Sequence, residues 1–139
     1  MSIRTFVASV ALAAATAVPT MSHAATGAHA PCILDEHHVV SVVPYQVEEH
    51  SGKAVYQRVR GAQVFIQAEP GLTAEWLQLN LQRHIAAMQG PAAMPDCAFD
   101  LSNVRVEVTS AGSGFWVRLI APDAKSGEEV LRRAQLLVS

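Results

Sequence analysis

The segment spanning residues 61–88 constrains the fold of this chain more than any other stretch, because a strand pattern, a corner and an amphipathic helix pattern follow one another directly. Residues 62–68 carry valine, phenylalanine and isoleucine side by side, the residue types that suit a half-buried strand. Pro70 and Gly71 end that strand, since proline lacks the ladder donor and glycine accepts turn dihedrals. The segment therefore predicts a strand followed at once by a helix.

The predicted helix has clear boundaries. Thr73 is the expected N-cap, and Leu72 is placed to pack against Leu77 as a hydrophobic staple. Gly90 and Pro91 form a C-terminal stop. Apolar positions recur at steps of three and four, so one stripe of the helix faces a core and indicates packing rather than catalysis. The stripe comprises Leu77, Leu81, His84, Ile85 and Met88.

The N-terminus predicts export. Arg4 precedes an apolar run, residues 6–18, that is too short to span a membrane as a mature helix. Pro19 ends the run, and small residues stand at the −3 and −1 positions of a cleavage site after Ala24. An ordinary N-terminal helix is the alternative, which the uninterrupted apolar run disfavours. We therefore expect residues 1–24 to be a cleaved signal peptide and the mature protein to be periplasmic or secreted, with no membrane anchor.

Two cysteines remain after this cleavage, Cys32 and Cys97. An even count in an oxidising compartment predicts one disulfide. It would join the N-terminal arm, residues 25–37, to the loop that follows the first helix. The arm is expected to be flexible, because its composition shows no periodicity. The alternative is a reactive or metal-binding thiol pair, although redox pairs more often have C-x-x-C spacing.

The remaining chain, residues 38–139, predicts a single α+β domain. Residues 38–49 are rich in valine, and Pro44 within them places this strand at a sheet edge or a bulge. A turn at residues 50–53 leads into a long second strand, in which Gly61 predicts a bulge.

The second half of the domain repeats this layout. Residues 104–108 alternate apolar and polar side chains, the pattern of a half-buried strand. In residues 115–120, Phe115, Val117 and Leu119 alternate with Trp116, Arg118 and Ile120, which predicts a second strand. Residues 126–138 predict a second helix, with acidic residues early and arginines later, an order that suits the helix dipole. The order β-β-α-β-β-α predicts a two-layer α+β sandwich, with both helices on one face of a four-stranded, mainly antiparallel sheet.

Charges predict the register of the second hairpin. A two-residue turn at residues 111–112 would place Arg105 opposite Arg118, a like-charge pair. A four-residue loop, residues 111–114, would instead place Glu107 opposite Arg118. Cross-strand charge pairs contribute only about 0.2–1 kcal/mol, but their sign favours the second register.

Metal binding is one candidate function, because the chain has six histidines, most of them after the predicted cleavage site. His29, Asp35, Glu36 and His37 are close enough in sequence to form a local site that would bind copper, nickel or zinc weakly. An extended first strand would separate His50 from this segment by about 40 Å, which excludes it from the site. The alternative is that these residues form a solvated entrance to the first strand.

No catalytic motif is present in the sequence. Gly112-Ser113-Gly114 lacks the spacing of a nucleophile elbow and joins strand to strand, so it predicts a hairpin turn. His84 would suit a metal ligand or a general base, but a histidine at the boundary of the core is the ordinary interpretation. We therefore expect a non-catalytic protein without a resident cofactor.

The strand pattern also predicts an open sheet face with basic and apolar side chains. Such a face suits a protein or anionic partner, whereas export and the net charge of −2 disfavour nucleic acid. The alternative is a solvated face whose arginines pair with Glu49 and Glu107. The exposed edge strand that contains Pro44 offers a further contact, pairing into a homodimer. The predicted face comprises Arg58, Arg60, Arg105, Trp116, Arg118 and Ile120.

Overall fold

The structure, a computed structural model, describes residues 32–90, 94 and 97–139 of the chain. The predicted signal peptide and His29 lie outside the described residues. In chain order the elements are the 3-10 turn η1 (Ile33–Glu36), β1 (Val39–Ser51), β2 (Ala54–Gln67), α1 (Ala74–Met88), β3 (Arg105–Ala111), β4 (Gly114–Ile120), α2 (Ala124–Gln135) and the 3-10 turn η2 (Leu136–Val138). Neither helix of the described chain is long and apolar enough to cross a membrane.

The four strands form one antiparallel sheet in the order β1-β2-β4-β3. Helix α1 packs against β3 and α2 packs against β2, so the predicted two-layer sandwich and its element order are confirmed. Between the layers lie inward side chains of the central strands, such as Val64, Val117 and Leu119, together with the apolar stripe of α1.

Helix α1 begins where the sequence predicts. The N–H of Trp76 donates to Oγ1 of Thr73 at 3.2 Å, which confirms Thr73 as the N-cap. The aliphatic and methionine positions of the predicted stripe are buried, and His84 is half-buried at its margin.

Gly61 allows β2 to change its pairing. Tyr45 of β1 lies opposite Gly61, whereas the next β1 residue lies opposite Val59, so Arg60 is the extra residue of a β-bulge. The φ of Gly61 is +148°, and a Cβ at this position would overlap the carbonyl oxygen of Leu119. The change of pairing confirms the predicted bulge. The bulge requires glycine, because β4 approaches the backbone at position 61 too closely for any side chain.

The second hairpin has the predicted register, with Glu107 opposite Arg118. An ion pair of 3.3 Å joins these two side chains. The loop is shorter than the four residues predicted, because Ala111 pairs with Gly114 and only residues 112–113 form the turn. The register is unaffected, since the extra pair continues the same ladder.

The two edges of the sheet are protected differently. Beside β3, the side-chain amide of Gln78 donates to the carbonyl oxygen of Val106 at 2.9 Å and accepts from the N–H of Val108 at 2.7 Å. These are backbone groups that an additional strand would use for pairing. The other edge is β1, which confirms the predicted edge position of Pro44, a residue with no N–H to offer.

The residues directly before β1 are packed. Cys32 is disulfide-bonded to Cys97, which confirms the predicted pairing, and Leu34 in η1 is fully buried. The flexibility of the arm, residues 25–37, stays a prediction, and its described part, residues 32–37, has two contacts with the core. The covalent bond and the burial of Leu34 anchor it to the core.

Candidate binding face of the sheet

The helices cover one face of the sheet, and no described element packs on the other. Alternate residues of each strand point to this second face, which we call the outer face. Strand pairing arranges them in rows, in which Phe65 lies opposite Trp116 and Gly61 lies opposite Ile120. The outer face is defined here by Tyr45, Arg58, Phe65, Arg105, Trp116, Arg118 and Ile120.

Two aromatic rings form the centre of the outer face. The ring centroids of Phe65 and Trp116 are 5.0 Å apart and their planes are tilted by 58°, a geometry that stabilises aromatic pairs. Both side chains are half-buried, so each ring shields the other and keeps an accessible surface. The sequence predicts Trp116 on this face but not Phe65. The predicted bulge at Gly61, which switches the outward parity of β2, is the signal that could have located it.

Arg118 lies between an aromatic ring and a carboxylate. Its Cζ is 6.0 Å from the ring centroid of Tyr45, and its Nη1 is 3.3 Å from Oε2 of Glu107. Both side chains of the ion pair are partly exposed to solvent, and exposed pairs contribute only about 0.2–1 kcal/mol. A carboxylate from a partner can therefore take the place of Glu107 at little cost.

The other predicted arginines have different surroundings. Arg105 is exposed, and none of the ion pairs between described residues involves it. Arg58 is also exposed, with its Nε 3.7 Å from Glu49. Arg60 is half-buried at the bulge, where it pairs with Glu49 at 3.0 Å and donates to the carbonyl oxygen of Pro122. Arg60 therefore ties β2 to the segment before α2, whereas Arg58 and Arg105 are accessible.

The outer face is basic although the chain is acidic. Its three arginines, Arg58, Arg105 and Arg118, outnumber their two carboxylate partners, Glu49 and Glu107, by one charge, whereas the whole chain carries −2. Part of this pattern matches the solvated-face alternative, in which the arginines pair with these glutamates. The excess of positive charge nevertheless favours an anionic partner over a cationic one.

A cavity of about 350 Å³ adjoins the outer face at the β3 edge. It is lined by Gln82 and Ile85 of α1 and by residues 104–107. Arg105 and Glu107 belong both to this lining and to the open side of β3.

The predicted N-terminal metal ligands are not brought together within the described residues. Asp35 accepts a hydrogen bond from the backbone N–H at the start of η1, and Glu36 is exposed. Nδ1 of His37 lies 3.7 Å from Glu69 rather than beside these carboxylates. Because His29 lies outside the described part of the chain, this site stays a prediction.

Three other potential metal ligands do converge in the described structure. The donor atoms of Cys32, His84 and Cys97 all lie within 4.8 Å of one another. Nε2 of His84 is 3.5 Å from Sγ of Cys97, and its ring packs edge-on against Phe99 with centroids 5.6 Å apart. Burial lowers the pKa of His84, opposed in part by the charge of Glu36. The sequence does not predict this cluster, because helix periodicity places His84 on a stripe but not beside a particular loop.

Comparison of the chain with protein-family models, with curated proteins and with solved structures gave no match. The chemistry of the described residues is therefore the basis for the function proposed below.

Proposed function

We propose that this chain is a small exported, non-catalytic domain whose outer face binds an acidic segment of a partner protein. The observation that supports this function best is the combination of aromatic rings and accessible arginines on a sheet face that no described element covers. Tryptophan, tyrosine, phenylalanine and arginine are the residue types enriched in protein interfaces. Here they are Trp116, Tyr45 and Phe65 with Arg58, Arg105 and Arg118.

Trp116 is the expected anchor of the interface. Its contact with Phe65 holds the indole in place before binding, so little side-chain entropy is lost when a partner covers it. The same reasoning applies to Arg118, whose guanidinium lies near the ring of Tyr45. A preorganised aromatic and arginine pair is the typical composition of a binding hot spot.

The charge of the outer face supports an acidic partner. Arg105 and Arg58 are exposed and lie toward the Ile120 end of the outer face, where they would approach carboxylates of the partner. Salt screens the attraction between solvent-exposed charges, because the Debye length is only about 8–10 Å at physiological ionic strength. Binding should therefore weaken as the salt concentration rises.

The location and the lack of catalysis belong to the same proposal. The apolar N-terminal segment and the cleavage pattern after Ala24 support export. The disulfide between Cys32 and Cys97 supports it independently, since such bonds persist in oxidising compartments. The sequence offers no catalytic motif, which supports a binding role.

A capture experiment with a matched control tests the proposed function. The mature protein is immobilised and exposed to the exported protein fraction of the producing cells at low and high salt. The test variant combines Trp116→Ala with Arg118→Ala. The control combines Trp76→Ala with Arg83→Ala, which removes the same two residue types from exposed positions of α1.

The wild type and the control variant should retain the same acidic protein at low salt, and the test variant should retain at least tenfold less of it. Equal retention by the test variant and the wild type would contradict the proposal. If the retained protein is a second copy of this chain, the proposed heterologous partner is wrong and size-exclusion chromatography will show a homodimer instead.

A further inference from the structure

We propose that Cys32, Cys97 and His84 form a redox-gated site that binds a thiophilic metal ion, Zn²⁺ or Cu(I), once the disulfide is reduced. The cluster lies where η1, α1 and the loop before β3 meet, away from the outer face, so it does not depend on the function proposed above. Thiolate and imidazole donors are the ligands that these two ions prefer in proteins.

The distance between the imidazole and the nearer sulfur already suits a metal site. Zinc binds sulfur at about 2.3 Å and histidine nitrogen at about 2.0–2.1 Å, so a tetrahedral angle places these two donors about 3.6 Å apart. Nε2 of His84 lies 3.5 Å from Sγ of Cys97. Helix α1 therefore presents His84 at the separation that a shared ion requires.

The change needed on reduction is local. In a tetrahedral site the two sulfurs would lie about 3.8 Å apart, so they must separate once the bond between them is broken. Rotation of either cysteine side chain about its Cα–Cβ bond can supply this separation. The Cα atoms of Cys32 and Cys97, which are 5.4 Å apart, need not move far.

The surroundings favour a sheltered site. Both cysteines are buried, and the ring of Phe99 packs against His84 on one side. Arg133 donates hydrogen bonds to the carbonyl oxygens of Cys97 and Asp100 at 3.1 and 3.3 Å. The backbone that presents Cys97 is thus held by α2 independently of the disulfide.

The chemistry balances with one external co-reactant. A dithiol reduces the disulfide by transferring two electrons and two protons, so that the dithiol becomes a disulfide and Cys32 and Cys97 become thiols. The metal ion then displaces both thiol protons and binds the two thiolates and Nε2 of His84. Three ligands suit Cu(I), whereas a water molecule would complete four-coordinate Zn²⁺.

The test compares the oxidised and the reduced mature protein. The protein is reduced with a dithiol under nitrogen, desalted and titrated with Zn²⁺ or with Cu(I), each in competition with a chromophoric chelator. The reduced protein should bind one ion per chain, and the oxidised protein should not compete with the chelator. The titration that gives the tighter binding identifies the ion.

Two single variants distinguish a ligand from a bystander. His84→Ala should weaken binding by the reduced protein by at least about 100-fold, since even outer-shell losses cost 10–100-fold. His50→Ala, which removes an exposed histidine of β1, should leave it unchanged. Equal affinities of the two variants, or equal binding by the oxidised and the reduced wild type, would overturn the proposal.

Circular dichroism follows folding in parallel, because reduction removes a stabilising cross-link. The ion should raise the melting temperature of the reduced wild type, and His84→Ala should abolish that rise. The proposal would also be overturned if the reduced protein is unfolded, binds neither Zn²⁺ nor Cu(I), and is stabilised by neither ion.

Discussion

Gln78 provides a quantitative test of how the fold protects its sheet. Its side chain makes two hydrogen bonds to the edge of β3, one to the carbonyl oxygen of Val106 and one from the N–H of Val108. Each such bond contributes about 0.5–1.5 kcal/mol net. Gln78→Ala should therefore lower the free energy of unfolding by about 2 kcal/mol, a large fraction of the 5–15 kcal/mol of a typical domain.

A matched variant removes the other effects of the substitution. Gln82→Ala lies one turn further along α1 at an exposed position. Both substitutions gain the same few tenths of a kcal/mol of helix propensity. Within the described structure, however, Gln78 is the one of the two that makes hydrogen bonds to the backbone of β3. The difference between the variants therefore isolates the two hydrogen bonds to the strand edge.

Urea unfolding followed by circular dichroism measures this difference. Light scattering at high protein concentration provides a second readout, because loss of the Gln78 contact leaves the β3 edge free to pair with another chain. The reasoning is refuted if the unfolding free energies of Gln78→Ala and Gln82→Ala differ by less than about 0.5 kcal/mol. Two hydrogen bonds should contribute at least about 1 kcal/mol together, so such a small difference would mean that they do not stabilise the fold.

Three further predictions concern stability. Gly61→Ala should cost at least about 3 kcal/mol, because its Cβ would overlap a backbone carbonyl of β4, whereas Gly112→Ala, with open space around it and a φ of +56°, should cost about 1 kcal/mol. Replacing Cys32 and Cys97 by serine should cost about 4 kcal/mol, because the disulfide spans 65 residues. Hydrogen bonds from two arginines of α2 lower the pKa of Glu129 from 4.5 to about 2. Since the folded state favours its carboxylate, Glu129 stabilises the fold above about pH 4.5 and loses that effect as the pH falls toward 2. The gap in melting temperature between the wild type and Glu129→Gln should shrink over that window.

Specific outcomes would contradict these three predictions. Equal unfolding free energies for Gly61→Ala and Gly112→Ala would contradict the close approach of β4 to the bulge. If the free energy of unfolding of the double serine variant falls by less than about 1 kcal/mol, the disulfide does not stabilise the protein through loop-closure entropy to the expected extent. A constant gap in melting temperature between pH 6 and 2 would show that the ionisation of Glu129 does not affect folding.

The features that the sequence predicts correctly are those that local chemistry determines. Alternating side chains identify the strands of the second hairpin, and the sign of the Glu107–Arg118 pair selects its register. The hydroxyl of Thr73 marks the start of α1. The glycine at position 61 marks the bulge, because no other residue permits such an approach of a neighbouring strand.

The features that the sequence does not predict depend on contacts between distant residues. Gln78 meets β3 about 30 positions later in the chain, and nothing in the helix pattern distinguishes it from Gln82. The contact of His84 with Cys97 depends on how the loop after α1 returns to the helix. The burial of Leu34 likewise depends on the packing of η1 against the core, next to the disulfide of Cys32. Composition identifies such residues as candidates, and only packing decides their partners.

The proposed binding role of the outer face can be tested most directly by photocrosslinking in the producing cells. The chain has two tryptophans, Trp116 on the outer face and Trp76 exposed on α1. A photoreactive aromatic residue can replace either one, so that an aromatic side chain is exchanged for another aromatic side chain. Crosslinking from position 116 should give one discrete adduct with an acidic protein, and Arg105→Glu with Arg118→Glu should abolish it. Position 76 should give none. No adduct from position 116, or one that survives both charge reversals, would contradict the proposed function.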